Sequence, residues 1–463
     1  MIRLMYNEVV KLIKKKSFYV VTFIFILFCI LTNIVYKTPL EVVETEEISI
    51  DELKEENAGF HLDQDDELLM YVENLALIEK EQLKDQYSSN VQEYLIDHFL
   101  YSTIYEMYES EYILKDQDLY VETKNHLDEL IHYVASSDWQ YFLEERISYL
   151  ENRVEETEGI VQERYHRLLE LANYRKEHNV SYDTDHFLHN SLEFLEENMV
   201  EYVNLLYDEE LTSEEKDRLS FLEEEMSIHE YVIDTEQDIL NEHTLRAVLT
   251  NFSGEFGLFI LIYVIMVAGS IVSEEYQRGT IKSLLTKPFK RRTILTSKLF
   301  VVLLFIPLIM IFMSLIEILI GGFILDFQSL SIPIVLYENG VLHTYSVLGY
   351  FSLLLLSGLP MYLVIGVLAF MISTISASTS AAITVSFLFY LLANVVSNLA
   401  LVYDLPVFHL FVSLYWDFSY LVTGSSSPFG VSIGTSVLVI LGYLFVMLCI
   451  AYVTFMKKDV KNI

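Results

Sequence analysis

The chain has 463 residues, of which 52% are hydrophobic and 21% are charged, and its formal net charge is −36. This mixture excludes both a uniformly soluble globular protein and a bare bundle of membrane helices. The apolar and the charged residues must therefore be segregated along the chain.

Six long apolar runs are predicted to be membrane-spanning helices, because each is close to or above the roughly 20 residues that cross a bilayer. They are Ser17 to Tyr36, Phe256 to Ser273, Leu299 to Leu325, Val347 to Ile372, Ala381 to Leu401 and Ile433 to Met456. Six crossings place both termini on the same side. The predicted fold class is an all-α integral membrane protein with an α-helical, coiled-coil-like domain between the first two spans.

The distribution of Lys and Arg predicts which side the termini occupy. Outside residues 37–252, basic residues are concentrated in residues 1–16, after the second run and in the C-terminal tail, whereas residues 326–346 and 402–431 contain none. Cytoplasmic segments of membrane proteins accumulate Lys and Arg. We therefore expect a multi-pass cell-membrane protein with cytoplasmic termini and an extracellular domain at residues 37–252.

This predicted outer domain, residues 37–252, separates the first span (1–36) from the other five (253–463). It contains 56 acidic and 15 basic residues, a net charge of −41. No proline occurs between Pro39 and Pro288, and apolar residues recur at spacings of three and four, which predicts long helices packed like a short coiled coil. Solvated helix faces account for most of the acidic residues. The last outer helix is expected to continue into the second span.

Two patterns in the outer domain allow a functional interpretation beside a structural one. Four tyrosines recur at helical spacing, namely Tyr101, Tyr105, Tyr108 and Tyr112. They form either a surface for an extracellular peptide or lipid ligand or, as is usual for such stripes, a packing face. His186 and His189 lie near two aspartates, but an i,i+3 pair without further ligands does not define a metal site. No metal is predicted.

The segment after the second run reads SEEYQRGTIKSLLTKPFKRRTILTSKLF, residues 273–300. It predicts a short amphipathic helix with a turn, because Ile281, Leu284 and Leu285 share an apolar face and Pro288 ends the helix. A helix of this kind beneath a bundle is suited to docking in the groove of a partner.

This segment resembles a loop of type 2 ATP-binding-cassette (ABC) exporter permeases, which carries an acidic pair, Gly-Thr, Leu-Leu, a proline and a basic residue before a lysine. The matching residues here are Glu274 and Glu275, Gly279 and Thr280, Leu284 and Leu285, Pro288, Arg291 and Lys298. The basic start of the chain is similar to the elbow helix of this family, which lies on the inner leaflet.

The resemblance implies that a coupling loop, residues 274–298, docks on a cytoplasmic ABC ATPase subunit. ATP and Mg²⁺ would then act in that partner, and this chain would hold no cofactor. The family pattern also implies a second permease subunit, identical or different, and contact with membrane lipids, but no nucleic acid. The resemblance covers residues 1–36 and 254–463 in topology, and the insertion between the first two spans departs from it.

Three polar residues lie within predicted spans. An ionised group at the bilayer centre costs about 2.5–3.5 kcal/mol, so Glu317 should face the bundle or a dimer interface, in a functional or a structural role. Asn394 and Asn398, one turn apart in the fifth span, are more typical of hydrogen bonds between helices than of substrate selection.

The sequence has no phosphate-binding loop, no serine nucleophile elbow and no cysteine-pair metal site, so no catalytic residue is predicted. The leading interpretation is the permease subunit of an ABC transporter that exports a peptide, a lipid-linked molecule or another amphipathic substrate. The alternative is a membrane scaffold or receptor that resembles the phage-infection and type VII secretion membrane proteins. Co-purification of an ATPase would distinguish the two.

Overall fold

The computed structural model describes residues 2–38, 49–58, 60, 65–208, 210–281, 290–338, 340–403, 406–425, 427 and 429–458. The chain divides into two compact units. The membrane unit comprises Met1–Pro39, Asn241–Glu338 and His343–Ile463, and the inserted unit comprises Leu40–Leu240 and Asn339–Leu342. Each unit has its own hydrophobic core.

Within the described residues, six helices of the membrane unit are long and apolar enough to span a membrane. In chain order, membrane helices 1 to 6 are Lys16–Lys37, Phe252–Ser270, Arg291–Leu325, Val347–Ser376, Thr379–Val402 and Ile433–Lys457. The predicted all-α class and the six predicted spans are confirmed. Membrane helix 3 begins at Arg291, well before its predicted apolar run, and its 35 residues exceed the roughly 20 that a bilayer requires.

Membrane helices 2 and 4 lie nearest the centre of the membrane unit. In their most apolar stretches, 61% and 50% of the residues are buried, against 17%, 11% and 17% for membrane helices 1, 5 and 6. Membrane helix 4 packs against membrane helices 2, 3, 5 and 6. The single chain therefore leaves large apolar surfaces of membrane helices 1, 5 and 6 uncovered.

An amphipathic helix, Ile2–Ile13, precedes membrane helix 1 and is called the elbow helix below. Its apolar face packs on the core of the membrane unit through Leu12, which is buried, and through Met5 and Val9, which are partly buried. These positions follow the three-and-four spacing of one helical face. Lys11 lies on the exposed side, so the basic N-terminus forms the amphipathic helix that the sequence predicts.

Shorter elements connect the membrane helices. Helices Leu245–Thr250 and Ser273–Gln277 flank membrane helix 2, and a 3-10 helix, Gln328–Ser331, follows membrane helix 3. The strands β1 (Ile334–Glu338) and β2 (Val341–Tyr345) form a two-stranded sheet. Between membrane helices 5 and 6 lie 3-10 helices Pro406–Leu410 and Val412–Leu414 and the one-turn helix Tyr420–Thr423. The sequence predicts short helices in this last segment.

The described residues of the inserted unit between 49 and 235 form helices joined by short connections. Its helices are Ile50–Asn57, Asp65–Gln86, Asn90–Leu95, the π-helical turn Ile96–Leu100, Tyr101–Tyr112, Gln117–Ala135, Trp139–Glu156, Ile160–Glu177, Phe187–Leu206 and Ser213–Thr235. Successive long helices pack as hairpins, for example Trp139–Glu156 on Ile160–Glu177. Thr212 and Glu215 form a capping box at the start of the last helix.

The last helix of the inserted unit does not continue into membrane helix 2, so that expectation is wrong. The helix ends at Thr235, and Glu236 adopts a left-handed conformation with φ of 51°. The polar residues that follow interrupt the apolar spacing. Thr244 then caps a new short helix by accepting a hydrogen bond from the backbone N–H of Ala247 at 3.3 Å.

Candidate functional site

The predicted coupling loop begins with a short helix and a glycine turn directly after membrane helix 2. Helix Ser273–Gln277 is followed by Gly279, whose φ of 68° lies in the left-handed region that favours glycine. Residues 277–280 are exposed, and Ile281 is buried again. Among the described residues of the loop's first half, the exposed tip is therefore short and centred on the glycine.

The acidic pair at the start of the coupling loop does not face outward. Glu275 is 8% exposed, and its carboxylate accepts a hydrogen bond from Lys11 of the elbow helix at 2.7 Å. It also accepts a hydrogen bond from the hydroxyl of Thr280. The predicted loop residues Glu275 and Thr280 thus bind each other and the elbow helix.

Lys298 of membrane helix 3 is buried beside Glu275 and completes this group of charged side chains. Its side chain is 2% exposed, and its Nζ donates a hydrogen bond to the carbonyl oxygen of Ile271 at 2.7 Å. The same Nζ lies 3.1 Å from Oε2 of Glu8 and 3.7 Å from Oε1 of Glu275. Glu8 in turn lies 3.3 Å from Lys11.

We call Glu8, Lys11, Glu275 and Lys298 the ionic cluster. Two acidic and two basic side chains balance in charge, and they join the elbow helix, the start of the coupling loop and membrane helix 3. Burial by itself would raise the pKa of the Glu275 carboxyl. The hydrogen bonds from Lys11 and Thr280 and the charge of Lys298 outweigh burial and hold this pKa at about 2.

Glu274 forms a second, more exposed link between the same elements. Its carboxylate lies 2.5 Å from Nζ of Lys15 and 2.5 Å from Arg278. Lys15 also donates a hydrogen bond to the hydroxyl of Ser270 at 2.8 Å, at the end of membrane helix 2. Both members of the acidic pair therefore fix the coupling loop to the N-terminal segment.

The far side of the coupling loop is held by the end of membrane helix 6. Arg291 donates hydrogen bonds to the carbonyl oxygens of Met456 and Lys458, at 3.3 and 3.1 Å. Nζ of Lys458 lies 4.6 Å from the centre of the Tyr276 ring and donates to the carbonyl of Ile375 at 3.0 Å. Membrane helices 4 and 6 are thus tied to both ends of the loop.

Of the predicted loop residues, the structure brings Glu275 and Thr280 together with Lys298. Glu274 pairs with Lys15 instead, and Gly279 lies at the exposed tip. Arg291 lies at a separate contact. The remaining predicted loop residues, Leu284, Leu285 and Pro288, lie outside the described residues. Glu8 and Lys11 were not predicted as site residues, although Glu8 is the only acidic residue among the first sixteen and stands one turn before Lys11.

Glu317 is paired inside the membrane unit. Asn33 of membrane helix 1 donates a hydrogen bond to Oε1 of Glu317 at 2.7 Å and another to the carbonyl oxygen of Cys29 at 2.8 Å. Both Asn33 and Glu317 are fully buried. Among the described residues, Oε2 of Glu317 has no hydrogen-bond partner. The pair links membrane helices 1 and 3.

Asn394 and Asn398 occupy a different surface from Glu317. Both lie on membrane helix 5 and are exposed in the single chain. An amide side chain on the lipid-facing side of a membrane helix lacks hydrogen-bond partners unless another helix supplies them. These two residues therefore mark a face that is suited to contact with another helix.

The predicted tyrosine stripe packs on a neighbouring helix. All four tyrosines are half-buried. Tyr108 donates its hydroxyl hydrogen to Glu79, and the ring of Tyr112 meets Tyr71 edge-on at 5.4 Å. Both partners belong to helix Asp65–Gln86. Tyr108 and Tyr112 therefore make packing contacts, and the ligand surface stays a prediction.

Comparison with known proteins adds the family. The sequence model described as "ABC-2 family transporter protein" matches residues 2–460. Over 243 residues, covering 52% of this chain and 76% of the relative, the chain is 26% identical to "Uncharacterized protein YhcI" of Bacillus subtilis (strain 168). No solved structure matches the chain.

Proposed function

Because the chain belongs to the ABC-2 family of transporter proteins, we propose that it is the permease subunit of an ATP-driven exporter. The observation that carries the proposal is the family match, which extends from residue 2 to residue 460. ATP would be bound and hydrolysed with Mg²⁺ by separate ABC ATPase subunits, since this sequence contains no phosphate-binding loop.

The coupling loop is the proposed docking element for the ATPase. Its acidic pair is engaged within the permease, so the described loop residues that are exposed to a partner are the tip, 277–280, and Lys290 and Arg292. The apolar pair Leu284 and Leu285 would provide the rest of the contact. Movement of the tip would pass through the ionic cluster to the elbow helix and membrane helix 3, because buried ion pairs resist separation.

The proposed cargo is a peptide, a lipid-linked molecule or another amphipathic compound. The membrane helices are apolar along most of their length, which suits a cargo with an apolar part. The inserted unit, which interrupts the membrane unit in sequence, adds a large surface. Export of a small hydrophilic solute would not require such a surface. Export, rather than import, follows from the resemblance to exporter permeases.

A second permease subunit is part of the proposal. Membrane helices 1, 5 and 6 are mostly uncovered in the single chain, and membrane helix 5 carries Asn394 and Asn398 on its exposed surface. Interhelical hydrogen bonds of asparagine contribute about 1–2 kcal/mol in model membrane peptides. A second copy or a related permease would supply the missing helix surface.

We further propose that both termini are cytoplasmic and that residues 37–252 are extracellular. The support is the Lys and Arg distribution, which assigns the elbow helix, the coupling loop and the C-terminal tail to one side. The contacts of Lys11 with Glu275 and of Arg291 with Lys458 agree with this assignment, because they bring all three segments together.

Co-purification from the native membrane tests the proposed function. The double substitution Arg278→Glu and Leu284→Asp alters the exposed tip and the predicted apolar face without touching the ionic cluster. Lys457→Glu is the matched control, because it reverses an exposed charge at the end of membrane helix 6. We expect an ABC ATPase with the unaltered chain and the control, and at least a tenfold loss with the double variant at equal membrane levels.

Two outcomes would contradict the proposal. If the double variant retains the ATPase in full, the coupling loop is not the docking element. If the unaltered chain retains no ATPase and instead retains components of a secretion machine, the scaffold or receptor interpretation takes the place of the exporter. Mass spectrometry of the purified complex identifies the partner in each case.

A further inference from the structure

The inserted unit brings a histidine and two glutamates together from helices that are distant in sequence. His98 lies in the π-helical turn Ile96–Leu100, and Glu193 and Glu197 lie one turn apart on helix Phe187–Leu206. One ligand atom of each residue lies within 4.8 Å of the others. π-helical turns are rare and occur frequently at functional sites.

The imidazole of His98 is oriented as in a metal ligand. Its Nδ1 lies 3.1 Å from the carbonyl oxygen of Tyr94. Because a carbonyl can only accept, Nδ1 carries the hydrogen and Nε2 keeps its lone pair. Nε2 lies 3.9 Å from Oε1 of Glu193, which is too far for a hydrogen bond. Metal-bound histidines are held by the same kind of hydrogen bond to a backbone carbonyl.

A buried and unpartnered histidine approaches the same glutamate from within the protein. His189 is fully buried, and its Nε2 has no hydrogen-bond partner among the described residues. This Nε2 lies 4.0 Å from Oε2 of Glu193. Arg175 donates a hydrogen bond to Nδ1 at 3.1 Å, so in neutral His189 the hydrogen sits on Nε2 and is directed toward Glu193. The 4.0 Å separation is too long for a hydrogen bond, so His189 would orient this carboxylate as a second-sphere donor only after Glu193 shifts toward it on ligand binding.

We propose that His98, Glu193 and Glu197 bind one Zn²⁺ ion, with water or an external ligand at the fourth position. Zn²⁺ accepts imidazole nitrogen together with carboxylate oxygen, and an incomplete protein ligand set leaves an open position. Ca²⁺ and Mg²⁺ prefer sites made of oxygen ligands only. The two carboxylates balance the charge of the ion, and without it they repel each other across one helical turn.

The ligand atoms lie farther apart than a bound ion would hold them, so the side chains must move together to bind it. A tetrahedral ion with bonds of about 2.0–2.2 Å holds its ligand atoms about 3.3–3.6 Å apart. The 3.9 Å gap between His98 and Glu193 must therefore close by a few tenths of an ångström, and separations of up to 4.8 Å within the group must close by up to about 1.5 Å. His98 and Glu197 are exposed, so rotation of their side chains can provide this movement, and an ion can reach the site from solvent.

Zinc binding by the purified full-length chain tests the proposal. The protein is kept in detergent, freed of any purification tag and of metal, and dialysed against buffered Zn²⁺ in physiological salt with excess Mg²⁺. Salt and Mg²⁺ suppress diffuse binding to the acidic surface of the inserted unit. We expect one zinc per chain. With Co²⁺ in place of Zn²⁺, we expect the visible absorption of a four-coordinate ion.

Three variants separate this site from adventitious binding. His98→Ala and Glu197→Gln should each weaken zinc binding by at least about tenfold. His166→Ala is the matched control, because His166 also stands beside a glutamate one turn along its helix, with Nδ1 at 3.5 Å from Glu170, yet belongs to no three-ligand group among the described residues. The control should bind zinc like the unaltered chain.

Three results would overturn the assignment. One is the absence of stoichiometric zinc in the unaltered chain. Another is unchanged affinity in Glu197→Gln, an isosteric change at an exposed position that keeps the fold. The third is loss in His98→Ala alone, since the ring of His98 stacks on Tyr94 at 3.9 Å and its removal disturbs packing.

Discussion

A buried lysine ammonium needs hydrogen-bond acceptors and balancing charges, and Lys298 finds them on three separate elements. The carbonyl of Ile271 and the carboxylates of Glu8 and Glu275 surround its Nζ at 2.7, 3.1 and 3.7 Å. Removing one partner of such a cluster leaves the opposite charge buried and uncompensated. The four charges should therefore behave as one unit rather than as independent pairs.

We expect Lys298→Met and Glu275→Gln each to destabilise the membrane unit by about 3–5 kcal/mol, because each leaves one unbalanced charge in the ionic cluster. The double variant restores neutrality, so its destabilisation should be less than the sum by at least about 1 kcal/mol. Thermal unfolding followed through the fluorescence of Trp416, in a Trp139→Phe background, measures the membrane unit alone. Additive effects would show that Glu275 and Lys298 are not coupled.

The pH dependence of the same unfolding transition isolates Glu275. Its pKa of about 2 in the folded protein lies below the ordinary value of 4.5. A lowered carboxylate pKa adds stability that is present above pH 4.5 and is lost as the pH falls toward 2. The midpoint temperature of the Trp416 unfolding transition should therefore fall further between pH 4.5 and pH 2 in the unaltered protein than in Glu275→Gln. Equal losses would mean that other carboxylates determine the acid response.

Sequence reasoning at the residue scale identified Glu275 and Lys298 but assigned both to a docking loop. The motif places them 23 positions apart, and that spacing does not show that the two side chains come together in the folded protein. Glu8 was not identified because a single acidic residue among lysines predicts only an ordinary i,i+3 ion pair. What decided its role was the fold of the elbow helix onto membrane helix 3, which is a tertiary effect.

At the scale of elements, membrane helices 1 and 3 approach closely where Glu317 meets Asn33. Gly321 lies one turn after Glu317, and a Cβ atom there would stand 2.6 Å from Leu245 Cδ1 and 2.8 Å from Asn33 Oδ1. The glycine therefore permits the contact that lets Asn33 donate to Glu317. The sequence indicated that Glu317 faces either the bundle or a dimer interface, but not which helix would satisfy it.

We expect Gly321→Ala to destabilise the membrane unit by about 1–3 kcal/mol, because the added methyl group overpacks this contact. Gly442→Ala is the control, since nothing lies within 4 Å of a Cβ at that position of membrane helix 6. There, replacing glycine should be neutral or stabilising by up to about 1 kcal/mol. The Trp416 unfolding transition measures both, and a neutral Gly321→Ala would contradict the close approach.

At the scale of the whole molecule, the hydrophobic pattern was sufficient to predict the six membrane helices and the helical insertion. A long apolar run has few alternatives to a membrane helix. The three-residue group of His98, Glu193 and Glu197 could not be predicted from the sequence, because the histidine and the first glutamate lie 95 positions apart. The sequence drew attention instead to His186 and His189, of which His189 lies beside this group as a buried neighbour of Glu193.

The exposed asparagines of membrane helix 5 make a prediction about assembly. A photoreactive residue at position 394 should cross-link to a second permease chain in the membrane, because the polar face around Asn394 and Asn398 needs hydrogen bonds that lipid cannot provide. Ile311 is the control position, since it is 55% exposed on membrane helix 3 within an apolar surface. It should cross-link to lipid alone.

Gel mobility and mass spectrometry of the product distinguish an identical chain from a related one. If position 394 gives only lipid adducts, this face contacts the bilayer, and the second subunit must be sought on membrane helix 1 or 6.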